Sequence, residues 1–351
     1  MKNVSIEKLF LIIGFIIGCL FIYIIPPFQS PDEDSHFKKA YSISNGNFYE
    51  SSNGEIIGLK IPVTMTEYIS EKLTMASDRE KKYSYSDCYY DQLLPGNFSK
   101  VSLQEVSTSA ATPIAHLIPG IGITIAKIFG PLLVGGSPSV SFMLYFARFF
   151  SLLSYLLIGY FALKVTPMFK KSMFAILLMP MSIFLASMVS YDNLLIAISL
   201  LTVASILKLI YDKKEMFNKN WFILFTVTGY ILLNIKIVYA PLMALLIFVP
   251  KEKFKNKENK EKIKTYIRLG LLIILLTIIF RIPNLLLSAT ESNSLSGKQL
   301  SFVLNHPFTY FKILLINLKD QFWPQIYWMI GTFGLLDTYI PPLFIFISLI
   351  N

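Results

Sequence analysis

Seven consecutive residues, Ser30-Pro31-Asp32-Glu33-Asp34-Ser35-His36, hold the densest reactive chemistry in the 351-residue chain. Asp32 and His36 are spaced i, i+4, which sets them on one face of a helix. A carboxylate beside an imidazole can act as a general base, or can hold a divalent metal such as Mn, Mg or Zn. Proximity to lipid raises a carboxylate's pKa, which suits work as a base. Part of the cluster has a plainer purpose. Ser30 with Glu33 three residues on forms a capping box, Pro31 occupies the first helical position, and acids in a first turn favour the helix dipole. Asn45-Gly46 would end the helix. Residues 31–44 then read as a surface helix whose Phe37, Ala40 and Tyr41 touch the membrane. Capping needs one acid, however, and this segment has three and a histidine.

Further ionisable residues recur at the ends of apolar blocks: Arg148, Asp192, Lys236, Arg281 and Asp337. Charges inside membrane spans are costly and mark functional sites, although any one of them can snorkel to the interface. Their common placement is the stronger signal. With the N-terminus in the cytoplasm these groups approach the same outer face as the acidic helix. Cations opposite carboxylates at a membrane surface suit an anionic lipid head group. His116 and His306 are isolated and read as structural. Tyr83, Tyr85, Tyr89 and Tyr90, with Trp323, Tyr327 and Trp328, can stack on sugar rings or anchor the interface. Cys19 and Cys88 are too far apart in kind, one in an apolar block and one in a polar loop, to form a disulfide framework.

The elements that must position these groups are membrane helices. Hydrophobic residues make up 54% of the chain, charged residues 15%, and the mean hydropathy is +0.56. Soluble domains carry about 25% charged residues. The net charge of +10 would suggest nucleic acid in a soluble protein. Here the basic residues sit in short loops between apolar blocks, eight of them in Lys251–Arg268, and mark cytoplasmic loops instead of a nucleic-acid partner. The pattern predicts an all-α membrane protein with about 8–9 transmembrane helices and a long first extracytoplasmic loop containing interfacial helices. Its parts are a first transmembrane helix at 1–25, the extracytoplasmic loop at 26–139, a helix bundle at 140–284, a second extracytoplasmic segment at 285–337, and the start of a last span at 338–351. Within the loop, 114–134 is apolar but broken by Gly and Pro, and is expected to be interfacial or re-entrant. Spans are expected at 140–163, 172–189, 193–210 and 269–282, with a hairpin of two short spans, 221–235 and 237–249, turning at Lys236.

Several motifs carry a resemblance. Pro26-Pro27-x-x-x-Pro31-Asp32-Glu33-x-x-His36-Phe37 is followed by Ala40-Tyr41-x-Ile43-Ser44-x-Gly46. Met179-Pro180 precedes Ser190-Tyr191-Asp192, then come Lys236-x-x-Tyr239 and Gly331-x-x-Gly334-Leu335-Leu336-Asp337-Thr338-x-x-Pro341. Together they resemble a bacterial family of predicted multi-pass membrane proteins, a domain of unknown function. That family is in turn similar to the GT-C glycosyltransferases, which use polyprenyl-phosphate sugars on the outer side of the membrane. The resemblance implies a GT-C-like bundle in the bacterial cell membrane with its active site on the outer face. It assigns Asp32 and Glu33 as the catalytic base or a metal ligand. A second acid of the pattern is matched by Asp192, and two of its cations by Arg148 and Lys236; these cations or Arg281, from its place at a span end, are expected to hold the donor phosphate, and Asp192 with His36 to contact a metal or the acceptor. Asp337 and Tyr239 are further candidates. His36 departs from the GT-C pattern and leaves a metal or a different acceptor open.

The expected function is transfer of a sugar from a polyprenyl-phosphate donor to an envelope glycan, lipid or protein. A transporter or flippase for a lipid-linked or anionic solute is the alternative. The absence of a visible inverted repeat favours the enzyme, because transporters place their charged groups near the bilayer midplane at repeat interfaces.

Overall fold

Charge-free runs of Leu, Ile and Phe make helices whose every backbone group bonds internally, the requirement for crossing lipid. In the computed structural model, described here for residues 4–53, 56–78, 80–93, 96–106, 112–288 and 295–350, the chain is 73% helical. Residues 289–294 of the second extracytoplasmic segment lie outside the described residues. Helix α1 is Ile6–Ile24 and α2 is Glu33–Ser44. Strands β1 (Ser51–Ser52) and β2 (Ile57–Pro62) lead into α3 (Val63–Ser77) and α4 (Tyr85–Leu93), and β3 is Val101–Gln104. A 3-10 turn, Pro113–His116, opens α5 (Leu117–Val134). There follow α6 (Val140–Val165), α7 (Lys170–Leu177), α8 (Pro180–Ala186), α9 (Asp192–Tyr211) and α10 (Lys219–Ile235). Short turns around α11 (Pro241–Ala244) connect to α12 (Asn259–Ser288), α13 (Leu295–Asn305) and α14 (Pro307–Gly331). A hairpin of β4 (Thr332–Phe333) and β5 (Thr338–Tyr339) precedes α15 (Pro342–Ile350).

Among the described residues five helices are long and apolar enough to cross a membrane: Ile6–Ile24, Pro113–Leu133, Val140–Val165, Asp192–Tyr211 and Asn259–Pro283. The expected span at 172–189 is two short helices instead, because Pro180 lacks an amide proton and Met179 before it is extended (ψ 137°). The expected span at 237–249 is a string of 3-10 and α turns around Pro241. The expected 269–282 helix starts ten residues earlier and runs through Pro283. The interfacial segment at 114–134 forms a continuous helix of spanning length, which packs chiefly on α6 and α2.

Ion pairs sort the bundle into two ends. At one, Lys170 Nζ meets Glu7 Oε1 at 2.9 Å, and Lys253 Nζ donates to the carbonyls of Asp212 and Glu215. At the other, α1 and α10 finish, α9 begins, and Arg148 sits in the third turn of α6. The first end collects the basic loops and the second collects the candidate site residues.

The loop after α1 is a packed module, not a set of interfacial helices alone. Strands β1, β2 and β3 pair antiparallel in that order, with Leu59 opposite Gln104 and Ile61 opposite Ser102. Leu59 and Ile61 are buried while Lys60 between them is exposed, the period-2 signature of a half-buried strand. Phe37, Ala40 and Tyr41 join them, with Phe28, Met65 and Ile69, in one core against α5 and the start of α6. These α2 residues therefore face protein, correcting the expectation that they touch the membrane.

Gly122 is where α5 crosses α6 most closely. A Cβ there would lie 2.8 Å from the carbonyl oxygen of Phe146 and 3.1 Å from Cα of Ala147, both backbone atoms. Gly122→Val therefore pushes the two helices apart, and thermal unfolding in detergent is expected to show a loss of about 1–3 kcal/mol.

Candidate functional site

Helix α2 starts two residues later than its sequence suggests. Asp32 is the N-cap in a left-handed conformation (φ 54°), its side chain makes no capping bond, and Pro31 lies outside the helix. No capping box forms: Ser30 Oγ is buried without a hydrogen-bond partner among the described residues. The C-terminal end follows expectation, with Gly46 at φ 80° donating to the Ile43 carbonyl at 2.9 Å.

Glu33 is committed elsewhere. It is fully buried, and Arg148, also fully buried, grips it in a two-pronged pair, Nε to Oε1 at 2.8 Å and Nη2 to Oε2 at 2.6 Å. The Val189 N–H donates to Oε1 at 3.0 Å. The remaining guanidinium protons go to the carbonyls of Ile22 (3.3 Å), Ile25 (2.7 Å) and Pro26 (3.0 Å). All five donors of the fork are thus engaged. The pair fastens the end of α1, the start of α2, α6 and the strand of chain before α9. This geometry corrects two expectations: Glu33 is fully buried, with Oε1 accepting from two donors and Oε2 from one, away from any acceptor, and Arg148 has no donor left for a phosphate.

The other candidates converge. Asp192, first residue of α9, meets Lys236 at the end of α10, with Oδ1 and Nζ 2.8 Å apart. A helix N-terminus favours the carboxylate there. Ser190 Oγ donates to Asp192 Oδ2 at 3.3 Å. Lys236 Nζ lies 4.9 Å over the Tyr191 ring, and that tyrosine meets His36 edge-on at 4.5 Å between centroids. Lys236 is partly exposed and keeps two further ammonium protons. Arg281 is exposed, donates from Nη2 to the Asn234 carbonyl at 3.3 Å, and shares with Lys236 an open cleft of about 560 Å³. Tyr239 donates its N–H to the Lys236 carbonyl at 3.0 Å and packs against the apolar cluster formed by α9 and α10. Asp337 belongs to a different place. It is exposed on the β4–β5 hairpin, whose Phe333 rests on Phe21 and Phe184.

His116 is the residue that sequence reading missed. Its Nε2 lies 2.7 Å from Nδ1 of His36, and both rings are buried. Eighty residues separate them, and no spacing in the sequence signals the pairing. His116 Nδ1 is buried without a partner among the described residues. A buried bare nitrogen is cheaper than a buried orphan N–H, so the proton sits on His116 Nε2 and is donated to His36. His36 then bears its own proton on Nε2.

Burial pushes the His36 pKa below the ordinary imidazole value. Asp192, Asp32 and Glu33 pull it back up, and Lys236 adds to the depression. The unfolded chain therefore takes up a proton near pH 6.5 that the folded protein refuses until lower pH. That contribution to stability is intact above about pH 6.5 and is lost as pH falls below it. His36→Phe is expected to flatten the acid-side decline of Tm; a slope equal to that of the wild type would show that other groups set it.

Asp32 is exposed and within electrostatic reach of His36. The site thus comprises an exposed carboxylate, a neutral histidine pair, a tyrosine, a Lys–Asp pair and a second cation beside an open cleft. Among the described residues no three His, Cys, Asp or Glu side chains gather as metal ligands. The arrangement is suited to an anion held by cations next to a base.

A model for a family of predicted membrane proteins, DUF2142, matches residues 15–350. No curated protein and no solved structure matches the chain.

Proposed function

The chain belongs to the DUF2142 family of predicted membrane proteins, and on its own geometry we propose that it transfers a sugar from a polyprenyl-phosphate donor to a cell-envelope acceptor. One observation carries the reading: Lys236 and Arg281 line a single cleft at the end of the bundle where Asp32 and His36 also lie. Lys236 and Arg281 at the cleft outnumber the one carboxylate paired there, Asp192, and leave one positive charge for a phosphodiester, with the Asp32 carboxylate beside it for the acceptor. Asp32 removes the proton of the acceptor hydroxyl as its oxygen attacks the anomeric carbon. The bond from that carbon to the phosphate oxygen breaks, and the electron pair leaves with the prenyl phosphate, held by Lys236 and Arg281. Attack from the face opposite the leaving group inverts the anomeric centre. His36 offers Nε2–H as a hydrogen-bond donor to sugar or acceptor, in place of the metal-ligand role.

This reading puts the basic-loop end in the cytoplasm and the site on the outer face of the cell membrane. The GT-C-like arrangement and 8–9 crossings belong to the same proposal; α7–α8, α10 and the 237–248 turns would supply crossings besides those of α1, α6, α9 and α12.

A transporter or flippase is the second reading, favoured by one feature. The break at Met179-Pro180 and the short turns at 237–248 interrupt helices near the site, as in transporters with discontinuous helices. Lys236→Met separates the two in a strain lacking the wild-type gene. Transfer predicts loss of the sugar from the envelope glycan with donor intact on the outer leaflet. Donor retained on the inner leaflet would instead identify transport.

A further inference from the structure

The cationic cleft has an apolar neighbour. A hollow of about 350 Å³ is bounded by Phe48 and Tyr49 beyond α2, Ile114 and Leu117 at the head of α5, Tyr230 of α10 and Phe280 of α12. The two spaces are lined by neighbouring residues of the same two helices, Tyr230 and Leu233 on α10 and Phe280 and Arg281 on α12. Phe280 precedes Arg281 in the chain, and its ring packs on Tyr230 at 5.8 Å. The Asn234 carbonyl, one turn after Tyr230, accepts from Arg281 Nη2 at 3.3 Å and from Thr112 Oγ1 at 3.4 Å, and Thr112 leads directly into the hollow's Pro113 wall. Phe280 is itself exposed, and α12 presents exposed apolar residues (Ile274, Leu275, Ile278, Ile279) around more than one face before it, so the hollow's α12 wall borders the lipid-facing surface. An amphiphile can therefore reach both spaces from the bilayer, its anionic head between Lys236 and Arg281 and its tail beside it.

We infer that the hollow takes the head-proximal two or three isoprene units of a prenyl phosphate, the remainder of the chain staying in lipid. The inference rests on the proposed phosphate position at Lys236 and Arg281. Size sets the limit: at about 30 Å³ per small group, the space holds roughly a dozen carbons. One hollow beside one charged cleft accommodates a single chain, whereas a bilayer phospholipid brings two. Aromatic rings on three sides suit the flat, branched units of an isoprenoid. Apolar tails gain little by leaving lipid for protein, so the hollow works through shape and not through hydrophobic transfer.

Two geranylgeranyl phosphate probes test this, one with a diazirine on the first isoprene unit and one with it on the fourth. The full chain is labelled in detergent and the labelled peptides are identified by mass spectrometry. The proximal probe is expected to mark the peptides of Phe48–Tyr49, Ile114–Leu117, Tyr230 or Phe280, and the distal probe to mark none of them. Leu117→Trp, which fills the hollow, and the surface variant Phe280→Ala, which opens it without touching the core, should each cut proximal labelling about fivefold or more. Proximal labelling elsewhere, or equal labelling of these peptides by a phosphatidylglycerol photoprobe, overturns the inference. Lys236→Ala distinguishes the underlying reading. If it leaves geranyl phosphate binding unchanged, the phosphate position fails; if it weakens binding while the hollow stays unlabelled in the wild type, the hollow alone fails.

Discussion

Under the proposed function, Asp32→Asn is expected to leave the protein folded and to lower sugar transfer by about 10²–10⁴-fold, the usual contribution of a positioned general base. The fold should hold for two reasons. Asp32 is exposed and its side chain caps nothing. Asparagine also tolerates the left-handed backbone at φ 54° about as well as aspartate. Surface changes of this kind stay within about 0.5 kcal/mol. The neighbouring acid gives the opposite result: Glu33→Gln costs stability, because a neutral amide faces a buried guanidinium. Transfer assays and thermal unfolding on the two variants therefore separate two adjacent carboxylates into one that reacts and one that holds. Full transfer by Asp32→Asn would remove it as the base.

The largest effect on stability is expected at Arg148. Arg148→Ala leaves the Glu33 carboxylate buried and unpaired, and takes donors from the carbonyls of Ile22, Ile25 and Pro26. Breaking one side of a buried pair costs about 3–5 kcal/mol. Replacing both partners with apolar residues, Glu33→Leu with Arg148→Met, should cost clearly less than the sum of the single changes, since no uncompensated charge remains. Unfolding midpoints in detergent provide the cycle. Additive losses would mean that Glu33 and Arg148 are stabilised independently.

Membrane character and the positions of α1, α6, α9 and α10 were readable because long charge-free runs have few alternatives in lipid. Where the chain departs from this, a local rule was overridden by tertiary contact. Ser30-x-x-Glu33 has the letters of a capping box, yet Glu33 gains more from Arg148, 115 residues away, than from a local amide. The short strands were hidden by insertion: α3 and α4 separate β2 from β3, so the alternation Ile57-Leu59-Ile61 carried no visible partner. The Pro180 break was marked by its proline and was outweighed by the length of the apolar run. The placement of Asp192 and Lys236 at span ends was legible, but their pairing across 44 residues was not. His36 was visible from its spacing to Asp32, and the structure gives it a different partner in His116. Arg148 shows the limit of positional resemblance, since a cation in the expected place can be wholly consumed by structure.

The most direct test supplies purified wild-type protein in vesicles with a panel of polyprenyl-phosphate hexoses and pentoses and an envelope-glycan acceptor. The account predicts one prenyl phosphate released per sugar transferred, an inverted anomeric linkage in the product, and loss of both with Asp32→Asn. Movement of the intact lipid-linked sugar across the vesicle membrane, with no bond broken, would contradict it.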